Sequence, residues 1–343
     1  MYRPDYYNEE ELTRYLKMQQ KHAWDLQKDI AWDKGIDLSR PFVALDKNSI
    51  LFPRATLQEK IVISQFMGLI INSTINELEK ALERSRVQCW ENLLRKYPVN
   101  PELWELGEEF FADEAKHSAA FERHLDIFAS TVNVTQDELR SLLPAFDRSR
   151  IEGLFRVNGL VGGHAMWWVV AAVEEESILV YRHLKRYEKD IDPLYFDLHK
   201  KHFEEESRHA AYAFIMLDIY RKRANSPLSI MTKKLDFLFS EVMQVTWVFH
   251  QMLKGFNIRK YRDRHPFFEQ LYRVLPMLTE LTPLEIIHTL FTRAPYISLF
   301  LNPLSNKHVN EAVKQGNCYK IPRPGLFDVK DLSYYGVKKD QAV

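Results

Sequence analysis

The residues best suited to chemistry are His202, Glu206 and His209, in the run His202-Phe203-Glu204-Glu205-Glu206-Ser207-Arg208-His209, which reads HxxxExxH. Each residue of an α-helix turns by about 100°, so these three side chains fall within an arc of roughly 60° and converge on one point. A second ExxH, Glu114-Ala115-Lys116-His117, lies upstream and places both ligand types on one face likewise. Imidazole and carboxylate donors without a thiolate suit iron or manganese. In a four-helix bundle, a paired-metal carboxylate site takes one Glu from each of two helices and one Glu-x-x-His from each of the other two. The pattern therefore asks for two more glutamates. A lone ExxH on an exposed helix is ordinarily coincidence, but two of them, one extended by His202, are hard to obtain by chance.

Helix punctuation supplies the elements that must position these residues. Asn8 with Glu11, Thr56 with Glu59 and Thr135 with Glu138 have capping-box spacing, while Asn100-Pro101 and Asp192-Pro193 set a capping residue before a proline at the first helical position. Helices are read at 8–34, 56–97, 101–130, 135–144, 148–189, 193–224 and 227–255, with shorter ones at 266–279 and 283–293. Pro98, Pro144 and Pro227 fall near the breaks. With little competing strand signal, the fold class is all-α. The long helices 56–97, 101–130, 148–189 and 193–224, joined by short connections, make an antiparallel bundle with the ExxH motifs on its second and fourth members. The expected organisation is one domain over 1–343, with the bundle core at about 56–225 and accessory helices at 8–34 and 227–300.

A ligand must point inward with the apolar residues. On the first long helix the choices are Glu77, Glu79 and Glu83; Glu79 has Ile75, Leu78 and Leu82 around it. On the third, Glu174, Glu175 and Glu176 are all open, and Glu175 ranks first on its neighbours Trp168, Ala171, Ile178 and Leu179.

At this point the chain resembles the p-aminobenzoate N-oxygenase family of ferritin-like di-iron oxygenases, whose order is Glu, ExxH, Glu, HxxxExxH, over about residues 56–215. Its most specific element is His202, because ferritins, acyl-carrier desaturases and ribonucleotide reductase small subunits have only the two ExxH motifs. The resemblance implies a ferritin-like four-helix bundle with additional N- and C-terminal helices. It also implies two iron ions, with manganese an alternative, and O2 as co-substrate. By carry-over Glu79 and His117 hold one iron, Glu175, His202 and His209 the other, and Glu114 and Glu206 bridge them. The implied activity is oxidation of a small aromatic or hydrophobic molecule, with arylamine N-oxygenation to a hydroxylamine or nitro product as the family's best-known reaction. The competing readings are a di-iron hydroxylase or desaturase of a fatty substrate, and a ferroxidase or iron-handling protein.

Composition narrows the rest. Lysine plus arginine equal aspartate plus glutamate at 47 each, so no global field draws nucleic acid. Cys89 and Cys318 are too few and too far apart for a disulfide framework, which with the absence of a basic-then-apolar leader favours the cytoplasm. The apolar run 159–173 stops at Glu174, short of the ~20 residues a membrane span needs. No dinucleotide fingerprint is present, so reducing equivalents come from an external electron donor. A homodimer is the base-rate assembly. His124, His164, Trp167 and Trp168 read as core residues, and Tyr181 and Tyr212 lie on the right helices for a redox role without any spacing that singles them out.

Overall fold

Helices begin where the capping residues stand. The computed structural model describes residues 9–45, 52, 54–95, 99–143, 148–160, 164–223 and 258–280, and its regular elements are all helical. They are α1 Glu9–His22, α2 Leu57–Arg86, α3 Pro101–Thr131, α4 Gln136–Leu142, α5 Arg148–Leu160, α6 Ala165–Lys185, α7 Pro193–Arg223 and α8 Pro266–Val274. Thr56 and Glu59 close a reciprocal capping box at 3.3 and 2.8 Å, as do Thr135 and Glu138 at 3.2 and 3.0 Å. Asn100 Oδ1 accepts from Glu102 N, and Asp192 Oδ1 accepts from Tyr195 N at 2.7 Å. Each such cap contributes about 0.5–2 kcal/mol. Asn8 lies outside the described residues.

The bundle is two helix pairs, α2 with α3 and α6 with α7, joined through α3 and α7. Asn72 facing His124 and Glu79 facing Ser118 show α2 and α3 to be antiparallel; Asp113 facing His209 and His117 facing Glu205 show the same for α3 and α7. Along each of these helices the polar ligand-type residues separate two apolar clusters. One is built on Leu82, Trp90, Phe110, Trp167 and Tyr212, the other on Phe42, Phe121, Phe128, Tyr195 and Leu198. The polar layer is thus sealed at both ends by aromatic packing.

Two expected helices are shorter than the sequence suggested. The segment read as 8–34 is helical only to His22, followed by a 3-10 turn at Trp32–Lys34. Asp25 explains the stop, because its Oδ1 accepts from the backbone of Gln27 and Lys28 and competes with helical bonding. The segment read as 148–189 is two helices, α5 and α6. Gly162-Gly163 lies between them in sequence, each costing a helix about 1 kcal/mol. Asn158 Oδ1 of α5 accepts from Ala165 N at 2.9 Å, so α6 starts afresh on a borrowed cap. The first long helix runs on from α2 through a π-turn at Val87–Glu91 to Leu94. The helix expected at 266–279 is α8 followed by a 3-10 turn to Glu280. Those expected at 227–255 and 283–293 lie outside the described residues, as does Cys318.

The chain between α1 and α2 is tied to the bundle by polar contacts. Asp37 N donates to Asp192 Oδ2 at 2.8 Å, Asp192 N donates to Pro41 O, and Gln65 Nε2 donates to Leu38 O and Arg40 O. Phe42 stacks on Tyr195 at 4.7 Å, and a Cβ on Gly68 would come within 2.7 Å of Phe42, so only glycine admits the ring. Leu57–Leu94 is long and apolar enough by composition to cross a membrane, yet 78% of its most apolar window is buried inside the protein. It is a core helix, and it outranks the 159–173 run that the sequence brought forward.

Candidate metal centre

The ligand-type residues arrive from four helices: Glu79 from α2, Glu114 and His117 from α3, Glu174 from α6, and His202, Glu206 and His209 from α7; all are buried. They form three overlapping groups, Glu79–His117–His202, Glu114–His117–His209 and Glu174–Glu206–His209, each with its ligand atoms within 4.8 Å of one another. Glu206 stands at the middle. Its Oε1 lies 3.4 Å from His117 Nδ1, 2.8 Å from His202 Nε2 and 3.7 Å from His209 Nδ1. Glu79 Oε1 is 3.1 Å from His202 Nε2, and Glu114 Oε1 is 3.0 Å from His209 Nδ1.

A buried polar atom without a hydrogen-bond partner costs about 1–3 kcal/mol, so a cluster of them needs an explanation. Here Glu114 Oε1, both oxygens of Glu206, His117 Nδ1 and His209 Nδ1 are all buried and make no hydrogen bond. These are ligand atoms, and they face one another. Burial drives the carboxyls of Glu79 and Glu206 well above their ordinary value, with the charge of Glu114 adding to the shift in both; Glu114 is raised by burial too. Burial and neighbouring imidazoles hold His117 and His202 well below the usual histidine range. Burial opposes charge on His209 as well, but Glu206, Asp113 and Glu114 outweigh it and raise its value. So many anions in one dry space are stable only when protons or cations neutralise them, and the donor set of carboxylates and imidazoles fits a pair of divalent iron or manganese ions.

Residues 5–261 match the model of the family described as p-aminobenzoate N-oxygenase AurF. The chain belongs to the p-aminobenzoate N-oxygenase family. No curated protein and no solved structure gives a significant match. The family is one of oxygenases, and the described residues of this member form an all-helical bundle.

Within this family member, six residues singled out from sequence, Glu79, Glu114, His117, His202, Glu206 and His209, come together. Glu175 does not join the groups; its neighbour Glu174 does. Apolar neighbours give little phase here because 165–172 and 174–177 are all buried, so this stretch of α6 has no exposed face against which to set a ligand. A shift of one residue then rotates the choice by about 100°. His202 also stands with Glu79 and His117, where the carry-over set it beside His209 and the third-helix glutamate.

Two further residues belong to the site: Asp113, which the sequence reading did not raise, and Glu205, which helix angle alone had left open. Glu205 Oε2 lies 2.8 Å from His117 Nε2, and Asp113 Oδ2 lies 3.3 Å from His209 Nε2. Each carboxylate thus bonds the far nitrogen of the imidazole on the opposite helix, leaving Nδ1 facing the other ligand-type residues. Such outer partners fix ring orientation and raise ligand basicity. Lys116 joins both carboxylates at 2.8 and 2.7 Å, and Gln19 of α1 donates to Asp113. The signal was available: Asp113 and Glu205 each directly precede the Glu of an ExxH. His124 makes no contact with the groups; it bonds Asn72 instead.

Proposed function

We propose that this protein is an O2-dependent di-iron oxygenase that oxidises the nitrogen of a small arylamine to the hydroxylamine or nitro product, drawing electrons from an external donor. The observation that carries the reading is the set of buried, unbonded ligand atoms between two ExxH motifs, in a member of this family. When bound, the metal pair supplies activation of O2.

The residues of the chain do the rest. Glu79, His117 and His202 would hold one ion, and Glu174 and His209 the other. Glu206 is within reach of both groups, and Glu114 of the second. Glu205 and Asp113 keep His117 and His209 turned with Nδ1 inward. Phe110, packed edge-on against His209 at 4.9 Å, and Phe121, packed edge-on against His202 at 4.9 Å, exclude water from the ligand layer. Trp24 lies parallel to the His117 ring at 5.9 Å and covers the side facing the N-terminal segment. A dry, aromatic-walled site suits an aromatic substrate better than a charged one.

The experiment is to load the anaerobic protein with Fe(II), admit O2 with and without an arylamine, and titrate iron per chain while separating products. Saturation at two irons with hydroxylamine or nitro product supports the reading. Oxidation that continues beyond two irons would make it a ferroxidase, and turnover of fatty but not amine substrates would make it a hydroxylase or desaturase.

A further inference from the structure

Beyond the ligand layer, three departures from local rules meet at one point. Gly107 sits inside α3, where glycine weakens a helix, and a Cβ there would come within 2.3 Å of both Trp90 Cζ2 and Tyr212 Oη. The helix beginning with α2 widens into the π-turn Val87–Glu91, which carries Trp90; such turns recur at functional positions. Trp90 Nε1 donates to Tyr212 Oη at 2.5 Å between two fully buried side chains, and the Tyr212 hydroxyl donates onward to Leu103 O at 3.4 Å. Agreement among local rules is the norm in a folded chain, and joint violations mark sites kept for another reason.

What these features hold together is a run of aromatic rings. Tyr212 stands one turn beyond the ligand-type residue His209 on α7. Phe110 packs against His209 at 4.9 Å and against Tyr212 at 5.5 Å. Trp104 packs edge-on against Trp90 at 5.0 Å and is part-exposed. Rings in contact therefore lead from His209 through Phe110, Tyr212 and Trp90 to the protein's edge. Tyrosine and tryptophan are among the side chains that give up an electron most readily.

We propose that Trp90 and Trp104, bridged to His209 by Phe110 and Tyr212, carry oxidising equivalents out of the metal centre when it is oxidised with no substrate to hand. The proposal rests on the oxygenase reading. Trp90 gives one electron to the oxidised centre, which is reduced by one electron. The indole keeps its proton in the bond to Tyr212 Oη, because the acceptor beyond it, Leu103 O, is no base. Trp104 then returns one electron to Trp90 and releases its indole proton to water. The neutral Trp104 radical takes a hydrogen atom from a soluble thiol, so the net change is one thiol oxidised to a thiyl radical, one electron delivered to the centre and one proton released. Arg86, stacked over Trp90 at 5.1 Å, would oppose positive charge there, but its guanidinium is held by Glu91 and Glu108.

The test loads the full chain with Fe(II), admits O2 without organic substrate, counts iron bound and O2 consumed in the same sample, and maps oxidised side chains by peptide mass spectrometry. In the wild type, oxidation is expected on Trp104 and Trp90. In Trp104→Phe, which leaves the buried Trp90–Tyr212 bond intact, it stops at Trp90; in Trp90→Phe the Trp104 modification is lost and damage moves to His209. O2 consumption with Trp104 oxidation unchanged by Trp90→Phe, or with damage confined to the ligands in the wild type, overturns the proposal. Absence of iron binding or O2 uptake refutes the oxygenase reading instead. The relay is then scored on the metal-free chain with a photogenerated ruthenium(III) oxidant: oxidation that settles on Trp104 in the wild type and on Trp90 in Trp104→Phe upholds it, and Trp90 oxidation that is absent from Trp104→Phe or the same in both proteins overturns it.

Discussion

Two groups of buried histidines occupy the same pair of helices. In the ligand layer His117, His202 and His209 stand among carboxylates, and His117 Nδ1 and His209 Nδ1 have no hydrogen-bond partner. In the neighbouring layer Asn72 Nδ2 donates to His124 Nδ1 at 3.1 Å, and His199 Nε2 donates to Asn72 Oδ1 at 2.9 Å. One amide thereby bonds both rings and fixes a tautomer for each, and the nitrogen left without a partner, His124 Nε2, is then a protonated N–H rather than a bare lone pair. His124 and His199 are pushed down to about 3 by burial, so they stay neutral. Burial is therefore common to both groups and identifies neither. What separates them is the company of anions and the lone pairs left bare, features that favour a cation in one layer and would reject it in the other.

The sharpest test of that contrast is Glu206→Gln, which is expected to abolish the metal pair and activity while stabilising the metal-free protein by about 0.5–2 kcal/mol. Metal analysis beside melts in chelator would show both, and a destabilised metal-free variant would break the comparison. Glu174→Gln should lower metal stoichiometry where Glu175→Gln does not. Removing an outer carboxylate, Asp113→Asn or Glu205→Gln, should weaken metal binding by about 10–100-fold with the fold retained.

The pH dependence follows with a definite sign. Glu79, Glu114 and Glu206 are raised above 4.5 and His209 above 6.5, so the metal-free native state binds more protons than the unfolded chain, and these groups lose stability as pH rises through their raised values. His117 and His202, lowered below 6.5, add stability as pH rises, but only up to about that value. Above it the metal-free protein should become less stable with rising pH while metal affinity grows, and loading should release protons that a weakly buffered dye assay can count. In the other layer the effect is on stability alone: Asn72→Leu should cost about 1–3 kcal/mol and leave metal binding unchanged. Weakened metal binding there would mean the two layers are coupled.

Much of this was legible in the residues. Capping pairs such as Thr56 with Glu59 announce helix starts because their spacing is local, and HxxxExxH announces a site because a helix converts spacing directly into direction. Where information was non-local, less could be read. Glu174 and Glu175 differ only in rotation along a stretch of α6 whose neighbours, 165–172 and 174–177, are all buried, so adjacent residues do not set the phase. Asp113 and Glu205 gain their roles from each other's helices, so neither is meaningful until α3 and α7 are paired. The early end of α1 turned on Asp25 preferring its own backbone.

The contacts between Asp37, Pro41 and Asp192 set an order of assembly. Asp37 and Asp192 are separated by 155 residues, and Phe42 finds its cover on Tyr195 beyond them. As the chain emerges from the ribosome, its N-terminal segment must wait, with that ring uncovered, until the start of α7 has been made. Contacts of such long sequence range slow folding. The waiting segment is therefore where a chaperone would find this nascent chain, and where synthesis halted before residue 192 would leave a sticky product.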